Sequence, residues 1–87
     1  MEIKQKIASF LAIPQEIALN LPQVVLTGHG EVNIENYKSI IEYTDSLVRV
    51  NTSTGVLKVE GIGLHLKQMT TENIVISGEI LKLEYVR

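Results

Sequence analysis

At 87 residues the chain has room for one compact domain, and none for a substrate domain beside a cofactor domain. Its 45% hydrophobic and 21% charged residues are those of a folding globular protein, which excludes an intrinsically disordered chain. A formal net charge of −2 removes the basic footprint of a nucleic-acid binder, and the lack of cysteine removes any disulfide or thiolate metal site.

The chain starts with Lys4 and Lys6 ahead of apolar residues, but the apolar run is too short and interrupted for a signal peptide, so the segment reads as mature sequence. No stretch approaches the roughly 18 to 20 apolar residues that span a bilayer, and the expectation is a soluble or at most surface-attached protein. Ile3, Ile7, Phe10 and Leu11 gather on one face of a helix over 2–13, making a short amphipathic element. Pro14 interrupts it, Gln15 to Leu19 can restart a turn, and Leu21-Pro22 ends the helical part. With Lys4 and Lys6 beside it, that apolar face is a candidate interaction surface for an anionic membrane or a protein groove. Packing onto its own sheet is the plainer expectation, because an isolated helix of this length is marginal in water.

From Gln23 the apolar period becomes two, and turn-forming residues punctuate the chain every six to ten residues. The pattern predicts a mostly β fold of about eight short strands, at 23–28, 31–35, 38–43, 47–52, 55–60, 63–68, 73–77 and 79–86. Alternation places Val32, Ile34, Ile41, Tyr43, Val48, Val50, Leu57, Val59, Leu64, Leu66, Ile74, Ile76, Leu81, Leu83 and Tyr85 inward. Asn33, Glu42, Arg49, Lys58, His65, Lys82 and Glu84 then face water. Val25, Ile40, Leu47, Val56, Ile80 and Val86 put apolar side chains on the second face, which the helix or another subunit would have to cover.

Leu57-x-Val59-x-Gly61-x-x-Leu64-x-Leu66 recurs as Ile74-x-Ile76-x-Gly78-x-x-Leu81-x-Leu83, and a looser version surrounds Gly28. Each unit reads as strand, glycine corner, strand, which assigns structural roles to Gly28, Gly61 and Gly78. Such units build a β-meander closed into a sandwich, roll or small barrel, with a short β-solenoid as the alternative; tight turns favour hairpins. The domain reading is one unit over 1–87, helical over 1–21 and β over 22–87.

Chemical machinery is hard to assemble from these residues. A metal site would need His29 and His65 to converge with carboxylates such as Glu31 or Glu60, whereas Gly28-His29-Gly30 reads as a turn and His65 as a wet strand position. Thr27-Gly28-His29-Gly30 could expose N–H groups to an anion, but a strand follows it where a phosphate loop needs a helix. Ser39, Ser46, Ser53 and Ser77 lack a nucleophile motif, and Glu35, Glu42 and Asp45 read as solvated strand and turn residues. The segments 52–55 and 69–73 are hydroxyl- and amide-rich turns. A protein without enzymatic activity, metal or cofactor is the expectation.

The order Asn20-Leu21-Pro22-Gln23-Val24, Thr27-Gly28, Val32-Asn33-Ile34-Glu35-Asn36 and Ile40-Ile41-Glu42-Tyr43-Thr44 resembles the YqfC branch of the YabP/YqfC family. Val48 to Thr52, Gly55 to Gly61, Gly63 to Leu66, Ile76 to Ile80 and Leu83 to Tyr85 are similar to the core shared by both branches, so the resemblance covers about residues 20 to 87. It implies a protein of endospore-forming bacteria, made in the mother cell and associated with spore envelope or coat assembly, with a YqfD-type membrane protein as a partner. It carries over no catalytic residues. An assembly or adaptor role, using strand edges or the apolar second face against a protein partner or a second copy, fits both warrants. The alternative is a membrane-surface or ligand-binding module that uses the N-terminal helix.

Overall fold

The computed structural model describes residues 20–86, so the helix expected over 2–13 and its face of Ile3, Ile7, Phe10 and Leu11 lie outside the described residues. Six strands follow in chain order: β1 (Gln23–Thr27), β2 (Glu31–Glu35), β3 (Tyr37–Tyr43), β4 (Leu47–Thr52), β5 (Gly55–Met69) and β6 (Asn73–Val86). They form one antiparallel sheet in the order β1-β2-β6-β5-β4-β3. Antiparallel pairing throughout is the mark of hairpins, and rules out the stacked parallel rungs of a solenoid for these residues.

Eight expected strands become six because two of the glycine corners bend the chain without breaking it. The segments expected at 55–60 and 63–68 fuse into β5, and those at 73–77 and 79–86 fuse into β6. Gly61 and Gly78 make the bend feasible. A Cβ on Gly61 would run into the carbonyl oxygen of Glu79, and one on Gly78 would sit 2.7 Å from the carbonyl oxygen of Gly63. At φ +138°, Gly78 also has a backbone conformation that L side chains rarely adopt.

The bent hairpin serves two different neighbours. The first half of β5 pairs with β4 (Val59 opposite Val48), while the first half of β6 pairs with β2 (Ile74 opposite Ile34). The sheet is therefore not a simple meander: β3 to β6 follow one another, and the β1–β2 hairpin is added on the far side of β6. Val32, Ile34, Val48, Val50, Leu57, Val59, Ile74 and Ile76 share one core, so the sheet's two halves close on each other. All eight are at most 2% exposed, and each such burial stabilises the fold by about 1.5–3 kcal/mol before chain entropy is subtracted. Asn36 alone connects β2 to β3, at φ 65°, with its N–H donating to the Glu72 carbonyl.

Bulges explain where alternation fails. Between Ile40 and Glu42 the register slips, so Ile40 faces the core opposite Val50 and Ile41, expected inward, is 46% exposed. A second slip matches Gly61 with Ile80 but Glu60 with Lys82. It turns Ile80 into the core and leaves Leu81, also expected inward, 62% exposed beside Lys58 and Glu60. Leu83 and Tyr85 do share the inner face with Val59 and Leu57, yet Tyr85 is 49% exposed because little lies over it. Of the residues expected on the second face, Ile80 is thus in the core and Ile40, partly buried, packs against it, while Leu47 and Val56 keep to the outer face opposite Glu60 and Asn51.

Candidate functional site

Three of the hairpin turns are held by one chemistry. Thr44 Oγ1 accepts from the backbone N–H groups of Ser46 and Leu47, at 3.2 and 2.9 Å. Thr70 Oγ1 accepts in the same way from Glu72 and Asn73, at 3.3 and 2.9 Å. Thr52, buried, accepts from Thr54 N and donates to the Gly55 carbonyl at 2.7 Å. A β-hydroxyl two or three residues before an N–H closes a turn without help from elsewhere, so the threonine-rich segments are structural.

The outer face over β3 to β6 is a charge ladder. Glu42, Arg49, Lys58 and Glu84 lie directly opposite one another across four strands, with Glu60 opposite Lys82 in the next row. Glu42 and Arg49 are 2.9 Å apart, Lys58 and Glu60 2.8 Å, and Lys82 and Glu84 3.4 Å. The hydrogen bond and charge of Glu60 raise the Lys58 ammonium above its ordinary range, and the same bond from Lys58 holds the Glu60 carboxyl below its own. These are solvated pairs, and solvent screening leaves each of them little net weight in stability.

The expected hydroxyls, imidazoles and carboxylates do not converge. His29 is exposed in the β1–β2 turn, and its carbonyl accepts from Ile80 N. His65 Nδ1 lies 3.2 Å from the carbonyl oxygen of Gly63, two residues earlier. Glu31 pairs with Lys67 and Glu60 with Lys58, and among the described residues no three His, Asp or Glu gather as metal ligands. Gly28, at φ +55°, serves the turn that Gly30 N closes on the Thr27 carbonyl, and β2 follows it directly. Ser53 Oγ donates to the Asn20 carbonyl, and Ser46 sits in the Thr44 turn.

What the fold does create is an asymmetry between its two seams. On one side β3 lies along the second half of β5, and two tyrosines stitch them. Tyr37, 9% exposed, donates its hydroxyl to the Thr70 carbonyl at 2.6 Å, and the Tyr43 hydroxyl accepts from Leu66 N at 3.2 Å. The other seam lies between β1 and the second half of β6. Its corner end is fixed by Ile80 N donating to the His29 carbonyl. At its far end Ser53 holds Asn20, while a Cβ on the nearby Gly55 would lie 3.8 Å from the Tyr85 ring.

Between these ends the walls are apolar. Val24 and Leu26 of β1 face inward opposite Ile34 and Val32, while Leu83 and Tyr85 of β6 face inward opposite Val59 and Leu57. Leu26 and Tyr85 remain 47% and 49% exposed. No described strand pairs with the outer side of β6 over 82–86, and that stretch runs in unbroken register with β5. By contrast β3 carries two register shifts, which blunt an edge against pairing. An open strand edge lined by inward apolar side chains is suited to contact with another polypeptide, and this seam is the candidate functional site.

Comparison with known proteins adds the family. The family model described as YabP family matches residues 20–87, most of the chain and all of the described sheet. The chain belongs to the YabP family. A curated relative of this YabP-family chain, named "Uncharacterized protein YqfC" from Bacillus subtilis (strain 168), is 26% identical over 76 residues, covering 87% of this chain and 82% of the relative. The sequence resemblance to a YabP/YqfC family is thereby established, and the match spans both walls of the open seam.

Two features of the site escaped the sequence. Tyr37 stands just before the expected third strand, so its place in the core had no periodic signal. The openness of the β1–β6 seam depends on which strands neighbour each other across the fold, and no local pattern encodes that. The inward direction of Leu83 and Tyr85 was legible from alternation alone.

Proposed function

We propose that this YabP-family chain is a non-enzymatic assembly or adaptor protein of the sporulating mother cell, contacting a protein partner through the open seam between β1 and β6. The observation that carries the reading is the seam itself, an unpaired strand edge with Leu26 and Tyr85 half exposed on its inner face. The sporulation setting rests on family membership. The charge ladder supports it indirectly: the ionisable groups of that face are engaged with one another along the strands. The partner is a protein, a second copy or a membrane protein of the YqfD type, and the working place is the mother-cell cytoplasm at the forespore surface.

A fluorescent fusion followed through a sporulation time course, beside a strain lacking the gene, tests the reading. Signal confined to the mother cell around the forespore, with a spore envelope or coat defect in the deletion, is the expected outcome. Uniform vegetative expression with normal spores would overturn it.

The alternative, a membrane-surface module, draws on Ile3, Ile7, Phe10 and Leu11 with Lys4 and Lys6, which lie outside the described residues. It predicts vesicle binding that disappears on removal of residues 1–13 while the sheet stays folded.

A further inference from the structure

We infer that the open edge of β6 is a self-association surface, to which a second copy of this chain adds its own β6 antiparallel, with Leu83 opposite the partner's Leu83. The inference rests on the seam as the working surface and names its partner. The backbone directions come first. Gly61 N donates to the Ser46 carbonyl, on the β4 side of β5. Backbone groups alternate sides along a strand, so Leu57 and Val59 also face β4, while Lys58 and Glu60 face β6. Their partners Glu84 and Lys82 therefore direct N–H and C=O groups to β5, and Leu83 and Tyr85 turn theirs to the open edge. At the corner Ile80 N is already held by the His29 carbonyl, which ends the free stretch at Leu81.

Charge then selects the register. Two identical strands paired about a two-fold axis set same-face residues opposite each other, so one residue lies opposite its own copy. Centring on Lys82 or on Glu84 would put like charges directly opposite, which destabilises a strand pair. Centring on Tyr85 sets Glu84 against Val86 and gains no ion pair. Centring on Leu83 puts Lys82 opposite the partner's Glu84 and Glu84 opposite the partner's Lys82, on the solvated outer face. Both charged side chains are accessible for this, at 56% and 36% exposure. The same register uses the outward backbone groups, since two opposed Leu83 residues whose N–H and C=O face each other exchange two hydrogen bonds. It also brings two Leu83 side chains together on the inner, apolar face. The β3 edge, with its two register shifts, presents no such regular row of donors and acceptors.

A charge exchange between chains tests it. Lys82→Glu sets acidic side chains against each other in this register, and Glu84→Lys sets basic ones. Mixed in equal amounts, the two variants restore both interchain pairs, although neither chain regains its own Lys82–Glu84 contact. Recovery in the mixture therefore reports pairing between chains and not folding within one. Sedimentation equilibrium on the full-length chain reads the mass of the wild type, of each variant alone and of the mixture, after circular dichroism verifies that each is folded. Glu42→Lys, the same charge change on the opposite edge strand β3, is the control. So short an edge makes a small interface, and the wild type is expected to dimerise reversibly in the micromolar to millimolar range. Each variant alone should dimerise roughly tenfold more weakly, with the mixture and the control returning to the wild-type value. A wild type that stays monomeric at millimolar concentration would overturn the self-pairing, as would single variants that associate like the wild type or a mixture no stronger than its components. A monomeric wild type leaves the seam open to a different protein, a reading that spore complementation tests separately, so the two failures are told apart.

Discussion

Two glycines show how differently the same residue type can be required. Gly78 combines φ +138° with the carbonyl of Gly63 where a Cβ would go, whereas Gly28, at φ +55°, has open space around it. Gly78→Ala should therefore destabilise the fold by about 2–4 kcal/mol, from backbone strain plus collision. At this chain length that is a fall in Tm of roughly 10 °C or more. Gly28→Asn, which tolerates the left-handed region, should stay within about 0.5 kcal/mol. Thermal denaturation of the two variants side by side measures the contrast. Thr70→Ala removes an acceptor for two backbone N–H groups in the β5–β6 turn, and a loss of about 1 kcal/mol is expected in denaturant titrations.

The Lys58–Glu60 pair yields a pH prediction at the same scale. Glu60 is held below the usual glutamate value, so its contribution is present above the unfolded value and lost as pH falls through the lowered folded one. Lys58 is raised, so its contribution is full below the unfolded value and disappears as pH rises through the folded one. Both side chains are solvated, and NMR titration is the sensitive readout. The Glu60 carboxyl should titrate below an ordinary glutamate in the wild type and return upward in Lys58→Met.

Among elements, the β5–β6 hairpin carries the fold, since both of its strands are long and each is sandwiched between neighbours over half its length. β1 is five residues long, pairs on one side only, and leaves Val25 and Leu26 exposed. Hydrogen exchange should find the slowest amides at Leu57 to Glu60 and Ile74 to Ile76, and the fastest strand amides in β1. These elements also mark how far the sequence could be read. Strand positions and most inward residues followed from alternation, because a half-buried sheet imposes a period of two on every strand. The repeated glycine unit located both corners, but the same signal suggests a break or a bend equally well. Only the close approach of Gly61 to Glu79 and of Gly78 to Gly63 shows that the strands continue. Ile41 and Leu81 were misplaced for one reason: a bulge adds a residue without changing composition, so the period counted on one side of it does not carry across to the other.

At the scale of the molecule, one closed seam contrasts with one open seam, and the proposed function places recognition at the open one. The closed one is fastened by Tyr37 and Tyr43, and Tyr37→Phe should cost about 1 kcal/mol by leaving the Thr70 carbonyl without its donor. In the open one, Leu26 and Tyr85 are half exposed, so charged substitutions there are tolerated by the fold while changing the contact surface. The most direct test of the account is complementation of a sporulating strain lacking the gene. It would compare full-length Leu26→Glu/Tyr85→Glu with the equally exposed control Ile41→Glu, after circular dichroism shows that both variants are folded. The account predicts that the control restores normal spores and the seam variant, although folded and present at normal levels, does not. Full restoration by the seam variant would contradict the assignment of the β1–β6 seam as the working surface of this protein.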